Sequence, residues 1–214
     1  MGSITRTFAN NITTGGNLTA LDAAKLTGTV ADARISTLTA SKLTGTLPAI
    51  SGASLTGIES GLTVADSWRL TANIGGTDAV ITTSNIERSD SVGAGQIGSA
   101  MTYSSGIFTF PVTGYYLILF KANTSNSSGD ETQFILQCEA TTDNASYTVV
   151  SQALTSARPE HNNMTGSSWF VMDVSNTSTH KVRFSTSSHQ TNTSLLGDTT
   201  MERTTFTFLR LGAT

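Results

Sequence analysis

The 214-residue sequence contains a single cysteine, Cys138, which excludes an intramolecular disulfide framework. Charge is also scarce. Asp, Glu, Lys and Arg make up 13% of the chain, about half the usual share of ~25%. The 12 Lys and Arg are scattered against 15 Asp and Glu, for a net charge of −3. Nucleic-acid binding needs a basic footprint that displaces counterions, so no nucleic-acid partner is expected. No run approaches the ~18 apolar residues of a spanning helix, so no membrane insertion is expected. The opening "MGSITRTFANN" lacks the apolar stretch of a secretory leader. Arg6 stands where an N-terminal lipidation signal has Ser or Thr. A soluble product without a cleaved leader is expected.

Catalytic groups are thin as well. His161, His180 and His189 lie in polar segments, outside any Gly-x-Ser-x-Gly or His-x-x-x-His pattern. The acidic loop pairs are Asp130 with Glu131 and Asp198 with Glu202. A glycosidase needs two carboxylates facing each other across a cleft, and nothing in the sequence brings these together. Oxygen-rich loops do suit calcium, so both pairs are secondary candidates for that ion, although the expectation is no cofactor and no enzyme. "SVGAGQIGS" (91–99) lacks the Lys and following helix of a phosphate cradle and reads as a loop. Cys138, alternating with Phe134, Leu136 and Ala140, reads as a small core hydrophobe rather than a reactive thiol. Eight Asn-x-Ser/Thr triplets are what this much Ser and Thr produces by chance.

What the chain does have falls into two blocks. In residues 1–64 the phrase Leu-Thr-Gly starts at Leu26, Leu43 and Leu55, 17 and then 12 residues apart, a ragged repeat. "ALDAAKL" and "VADARI" could each give a helical turn or two, but the intervening Gly and Thr oppose long helices. With no aromatic after Phe8 in the block, one copy buries too little apolar area to offset its ordering entropy. It is either disordered or ordered against other copies, each leucine meeting its equivalents. An extended, oligomer-dependent attachment and stalk segment is the expectation.

From Ala65 the apolar period becomes two. "GIFTF" (106–110), "YYLILFKA" (115–122), "TQFILQCEA" (132–140), "YTVVSQAL" (147–154), "SWFVMDV" (168–174), "HKVRFST" (180–186) and "TTFTFLRLG" (204–212) read as strands, bounded by Gly, Asn, Ser, Asp and Pro. "WRLTANI" and "DAVITT" are weaker candidates. With no helical pattern between them, these strands indicate an all-β antiparallel sandwich over 65–214.

Within it, "GIFTFPVTGYY" (106–116) resembles the Gly-x-Phe-Thr-x-Pro-Val-x-Gly-Tyr-Tyr signature of the complement globular head, a jelly roll related to tumour necrosis factor. "TTFTFLRL" is similar to that family's last strand. Phe110 stands where the family often has Cys, and Thr113 where it usually has a second Pro. Separately, "LTGTLPAISGASLTGI" and "SITRTFANNITTGGNLTA" resemble phrases of bacteriophage fibre proteins.

Together the resemblances imply a homotrimeric virion structural protein, fibre-like, attached to another virion protein through its N-terminal arm. Its jelly-roll head would bind a host surface glycan or protein. The alternative is a capsid- or collar-attached decoration protein with no receptor. The jelly-roll likeness implies both termini at the base and three connections at the far tip, 123–131, 157–166 and 187–203. Candidate receptor contacts there are Asn123, Asn126, Asp130, Arg158, His161, Asn162, Asn163, His189, Asn192 and Asp198. The turns 142–146 and 175–179 would lie at the base.

Overall fold

The computed structural model describes residues 61–75, 77–82, 84–157 and 163–214. The expected stalk, its repeat and the attachment arm fall outside them, apart from residues 61–64. No helix occurs among the described residues. Twelve strands do: β1 (Ala65–Leu70), β2 (Ile74–Gly75), β3 (Ile86–Arg88), β4 (Thr102–Ser104), β5 (Ile107–Thr109), β6 (Gly114–Asn126), β7 (Glu131–Thr141), β8 (Thr148–Ala157), β9 (Asn163–Val174), β10 (Lys181–Ser187), β11 (Thr193–Leu195) and β12 (Thr205–Gly212).

They build two antiparallel sheets. In the front sheet β9 pairs one edge of β6 along its length, while β12 and then β11 share the other edge. β1 and β3 extend the sheet beyond β12, and β2 pairs β11. The back sheet runs β4-β5-β10-β7-β8. Every non-local crossover is thus between antiparallel strands, the jelly-roll pattern.

Residue alternation explains the layering. On β6, Gly114, Tyr116, Ile118, Phe120 and Ala122 turn inward, while Tyr115 and Leu119 face out. A residue period of two gives one buried face. Phe206 and Phe208 of β12, Phe184 of β10, and Phe134, Leu136 and Cys138 of β7 meet them in the core. Phe108 is the hub. Its ring lies 4.8–5.9 Å from those of Trp68, Tyr103, Phe184, Phe206 and Phe208. Cys138 is buried, and burial, with the neighbouring Glu139 charge, pushes its thiol up to about 12, the inert core role expected of it.

Two glycines of the 106–116 stretch have backbone reasons. Ser105 and Gly106, with φ of 49° and 90°, make the two-residue turn from β4 to β5, where both central residues need positive φ. Gly114 has φ of 146°, and a Cβ there would stand 2.4 Å from the Gly212 carbonyl oxygen. It lets β6 start beneath the bulge between Arg210 and Gly212.

The register fixes the two ends. Ala65 pairs Leu209, Gly212 pairs Tyr115 and Gly114 pairs Val174. The start of β1, the end of β12, and the turns 142–147 and 175–180 therefore lie at one end, the base. The turns 127–130 and 188–192 lie at the other. Two strands run farther than their apolar cores: β6 continues through Asn123–Asn126 and β9 begins at Asn163, and these polar ends pair with each other. "DAVITT" makes only a bridge, Val80 to Ser185. The strand expected there is replaced by chain that extends the β5 edge past Arg183.

Candidate interaction surface

The tip residues divide by what their side chains already hold. Arg158, His161 and Asn162 lie outside the described residues. Asp130 and Asn163 are exposed, Asn163 opposite Ser125 at the start of β9. Asn123 sits on β6 rather than in a loop. It faces outward from the front sheet and donates from Nδ2 to Thr165 Oγ1 (3.1 Å). Asn126 is 2% exposed. Its Nδ2 donates to the Gly129 carbonyl (2.6 Å) and its Oδ1 accepts from Ser128 N (3.1 Å), so it shapes the turn from within. His189 is half-buried, its ring edge-on to Phe134 at 4.9 Å, with Nε2 donating to the Thr193 carbonyl at 2.5 Å. The Asn192 carbonyl accepts from Ser127 N (2.9 Å) and Ser127 Oγ (3.1 Å), which stitches two tip turns together.

Asp198 caps its own loop. Its Oδ1 accepts from Thr200 N (2.8 Å), Thr200 Oγ1 (2.8 Å) and Met201 N (3.0 Å), and its Oδ2 from Arg203 Nε (3.3 Å). The hydrogen bonds from Thr200, backbone first and then hydroxyl, lower its carboxyl to about 2. Asp143 does the same at the base, held near 2 by Ser146 N, Thr141 Oγ1 and Ala145 N. Because both folded values lie below the ordinary carboxylate value of ~3.9, the contribution is complete above about pH 4. It is lost as the pH falls toward 2. Asp143→Asn and Asp198→Asn are each expected to lower the melting temperature slightly at neutral pH, with the difference from the unmodified protein shrinking as the pH falls toward 2, as read by circular dichroism. Among the described residues no group of three metal-ligating side chains gathers. The Asp198 and Glu202 carboxylates, a candidate calcium pair, are turned onto protein donors.

Glu202 belongs to a cluster that the sequence did not announce. Arg69 points outward from β1, between Thr205 and Glu87, yet is fully buried. Its guanidinium donates to Glu87 Oε1 (2.6 and 2.9 Å), Ser91 Oγ (2.7 Å), Glu202 Oε1 (3.4 Å), Asp90 and the Thr199 carbonyl. Glu202 also accepts from Ser89 and Ser91, both at 2.9 Å, and its carbonyl accepts from Lys121 Nζ (2.5 Å). Two loops, 89–91 and 198–203, are thereby folded over the tip-ward half of β1 and β12. Breaking a fully buried pair costs ~3–5 kcal/mol, but these carboxylates are 36–75% exposed and can rehydrate. Arg69→Met is therefore expected to cost about 1–3 kcal/mol. Limited trypsin digestion at Arg203 should speed up severalfold at temperatures well below unfolding.

The front sheet's outer face shows a different surface. Across paired strands the outward residues form rows. Val171, Leu117 and Leu209 make one, and Trp169, Leu119 and Thr207 the next, where Thr207 bonds Ser67 at 2.9 Å. Tyr115 and Leu211 lie toward the base. Trp169 is 64% exposed and Leu211 52%. A shallow hollow of about 170 Å³ beside the indole is lined by Leu119, Lys121, Ser167, Thr205 and Thr207. Seven large apolar side chains thus lie on three adjacent strands, five of them exposed and Leu117 and Leu209 half-buried, and contiguous apolar surface of this kind is characteristic of interaction sites.

No protein family and no curated protein sequence matches the chain. Solved structures do. The head is similar to Eiger TNF from S. frugiperda (TM-score 0.52, 12% identity, 71% of this chain and 94% of that one). It is also similar to murine APRIL (TM-score 0.50, 9% identity, 69% and 98%). PRD1 vertex protein P5 follows at a TM-score of 0.44 and 16% identity, covering 72% of this chain and all of that one, a likeness too loose to carry weight. At these identities the likeness concerns the fold alone. The strand order and these neighbours agree on the fold: the head is an antiparallel jelly roll.

Proposed function

We propose that this chain is a homotrimeric virion structural protein, a fibre-like part and not an enzyme, whose head assembles through the apolar outer face of its front sheet. That face is the observation that carries the reading. An outward sheet face that carries exposed Trp169, Leu119 and Val171 beside half-buried Leu117 and Leu209 supports burial against other copies. The virion assignment rests on the Leu-Thr-Gly phrases of residues 1–64, which resemble those of bacteriophage fibres. In this reading the N-terminal segment docks on another virion protein, and the heads project their tips toward a host surface. Three equivalent tips would gain avidity from weak single contacts.

A second reading, a decoration protein on capsid or collar without a receptor, is favoured by one feature. Asn126, His189 and Asp198 spend their side chains inside the tip turns, which leaves few groups free for a ligand. Electron microscopy of intact particles labelled with antibody against residues 65–214 separates the two. Label at the ends of tail appendages supports adsorption. Label spread over the capsid makes this a decoration protein, and absence from particles ends both readings.

A further inference from the structure

We propose that the base-ward end of the β9 edge takes an extended peptide segment of another protein. That segment pairs with Val171 and Asp173, sinks an apolar side chain between the sheets and sets a basic one beside Asp173. The groups concerned point along the sheet rather than out of its face, so the inference stands apart from the self-association reading.

β8 and β9 are the outer strands of the two sheets on one side of the sandwich. Toward the tip they are closed on each other. A Cβ on Gly166 would stand 2.5 Å from the Leu154 carbonyl oxygen. Ser151 Oγ donates to the Trp169 carbonyl at 2.9 Å and lies 2.8 Å from Ser168 Oγ. Toward the base β8 then bulges: Ser151 pairs Cys138 but Val149 pairs Glu139, which leaves Val150 as the extra residue. A bulge bends its strand, and here the two edges part. The gap is a slot of about 340 Å³, floored by Ala140, Val150, Phe170 and Met172 and rimmed by the Thr142 and Thr148 side chains.

The β9 wall of this slot is unpaired backbone. Asn123 N of β6 turns to Thr204 Oγ1 and Asn123 O to Leu196 N, both on the β11 and β12 side. Alternation along an antiparallel ladder then assigns the even-numbered residues of β6 to β9, with Phe170, Met172 and Val174 bonded opposite them. Trp169, Val171 and Asp173 aim N–H and C=O the other way, and the Ser151 bond to the Trp169 carbonyl agrees. Among the described residues no hydrogen bond reaches the amides of Val171 and Asp173. Open edges are commonly guarded by Lys or Pro, and β9 has neither.

The same alternation sets the chemistry of the occupant. A strand laid antiparallel along the edge turns the residue opposite Met172 into the slot and the one opposite Asp173 outward, beside the carboxylate. Met172 is buried and Asp173 exposed, and among the described residues no cation lies within 4.0 Å of that carboxylate. An apolar residue next to a basic one fits both positions. Strand addition of this kind draws affinity from the main chain and specificity from the side-chain recess. The β9 edge itself carries no cation, so pairing the β9 edges of two copies would leave both carboxylates unmatched.

The test uses the full chain and the probe peptide acetyl-Lys-Leu-Thr-Val-Thr-amide, read by hydrogen exchange at single amides. Without peptide the Val171 and Asp173 amides should exchange at nearly the rate of free chain. About 2 mM peptide should slow both at least about fivefold. The same peptide N-methylated at its first Thr loses the donor to the Val171 carbonyl and should not protect. Replacing its Leu by Ser should weaken binding at least about tenfold, the loss of a buried Leu side chain. Asp173→Asn in the protein should weaken it about threefold, the size of a surface ion pair. Unchanged exchange with the peptide present would overturn the proposal. Equal protection by the N-methylated peptide would overturn strand pairing. Slow exchange before any peptide is added would mean that other copies of this chain already cover the edge, which also overturns it. A failure in any arm leaves the virion reading standing.

Discussion

Phe108→Ala is expected to cost about 3–5 kcal/mol of folding stability and to lower the melting temperature by roughly 6–20 °C. The ring is 1% exposed. It touches aromatic rings from both sheets: Trp68, Phe206 and Phe208 from the front, Tyr103 and Phe184 from the back. Truncation removes the transfer free energy of the ring and leaves a cavity between sheets that cannot collapse, because each is held by its own ladder. Edge-to-face contacts such as those with Trp68 (81°) and Phe184 (79°) add about 0.5–1.5 kcal/mol each. Calorimetry of the variant checks this. A loss below ~1 kcal/mol would mean that the aromatic cluster is not what joins the sheets.

Trp169→Asp should have the opposite profile, a large effect on assembly and a small one on the fold. The indole is mostly exposed in the single chain and its row neighbours are Leu119 and Thr207, so the isolated head loses little when it is replaced. In the assembled state the substitution puts one carboxylate per copy into an apolar contact at symmetric positions, where a buried unpaired charge is costly. It also removes the kind of side chain that most often dominates an interface. The concentration at which subunits separate is expected to rise at least about a hundredfold, roughly 2.8 kcal/mol at ~1.4 kcal/mol per decade. Size-exclusion chromatography over a dilution series measures it, with circular dichroism to confirm that the variant stays folded. An unchanged dissociation point would place the contact on another surface.

The sandwich was legible because its strands are half-buried. Each of the seven strong period-two segments contains or overlaps an observed strand, and the 106–116 stretch carried the hairpin turn and the start of β6. What escaped was short or polar. β3, β4 and β11 have three residues each, too few to show a period, and they exist because a long neighbour offers them hydrogen bonds. The polar extensions of β6 and β9 pair with each other, which overrides the weak strand preference of Asn, Ser and Gly. The Arg69 cluster was invisible for a different reason: its partners come from 18 to 133 residues away, and nothing local distinguishes Arg69 from any other strand arginine. Asn126 and Asp198 have the composition of contact residues, but Asx side chains next to turns bond their own backbone as readily as a ligand.

Sedimentation equilibrium of the unmodified chain at micromolar concentration tests the central claim most directly. The account predicts a single species of about three times the 22.4 kDa chain mass, with Trp169 shielded from aqueous quenchers. A monodisperse 22.4 kDa monomer, with the indole still open to quenching, would contradict it.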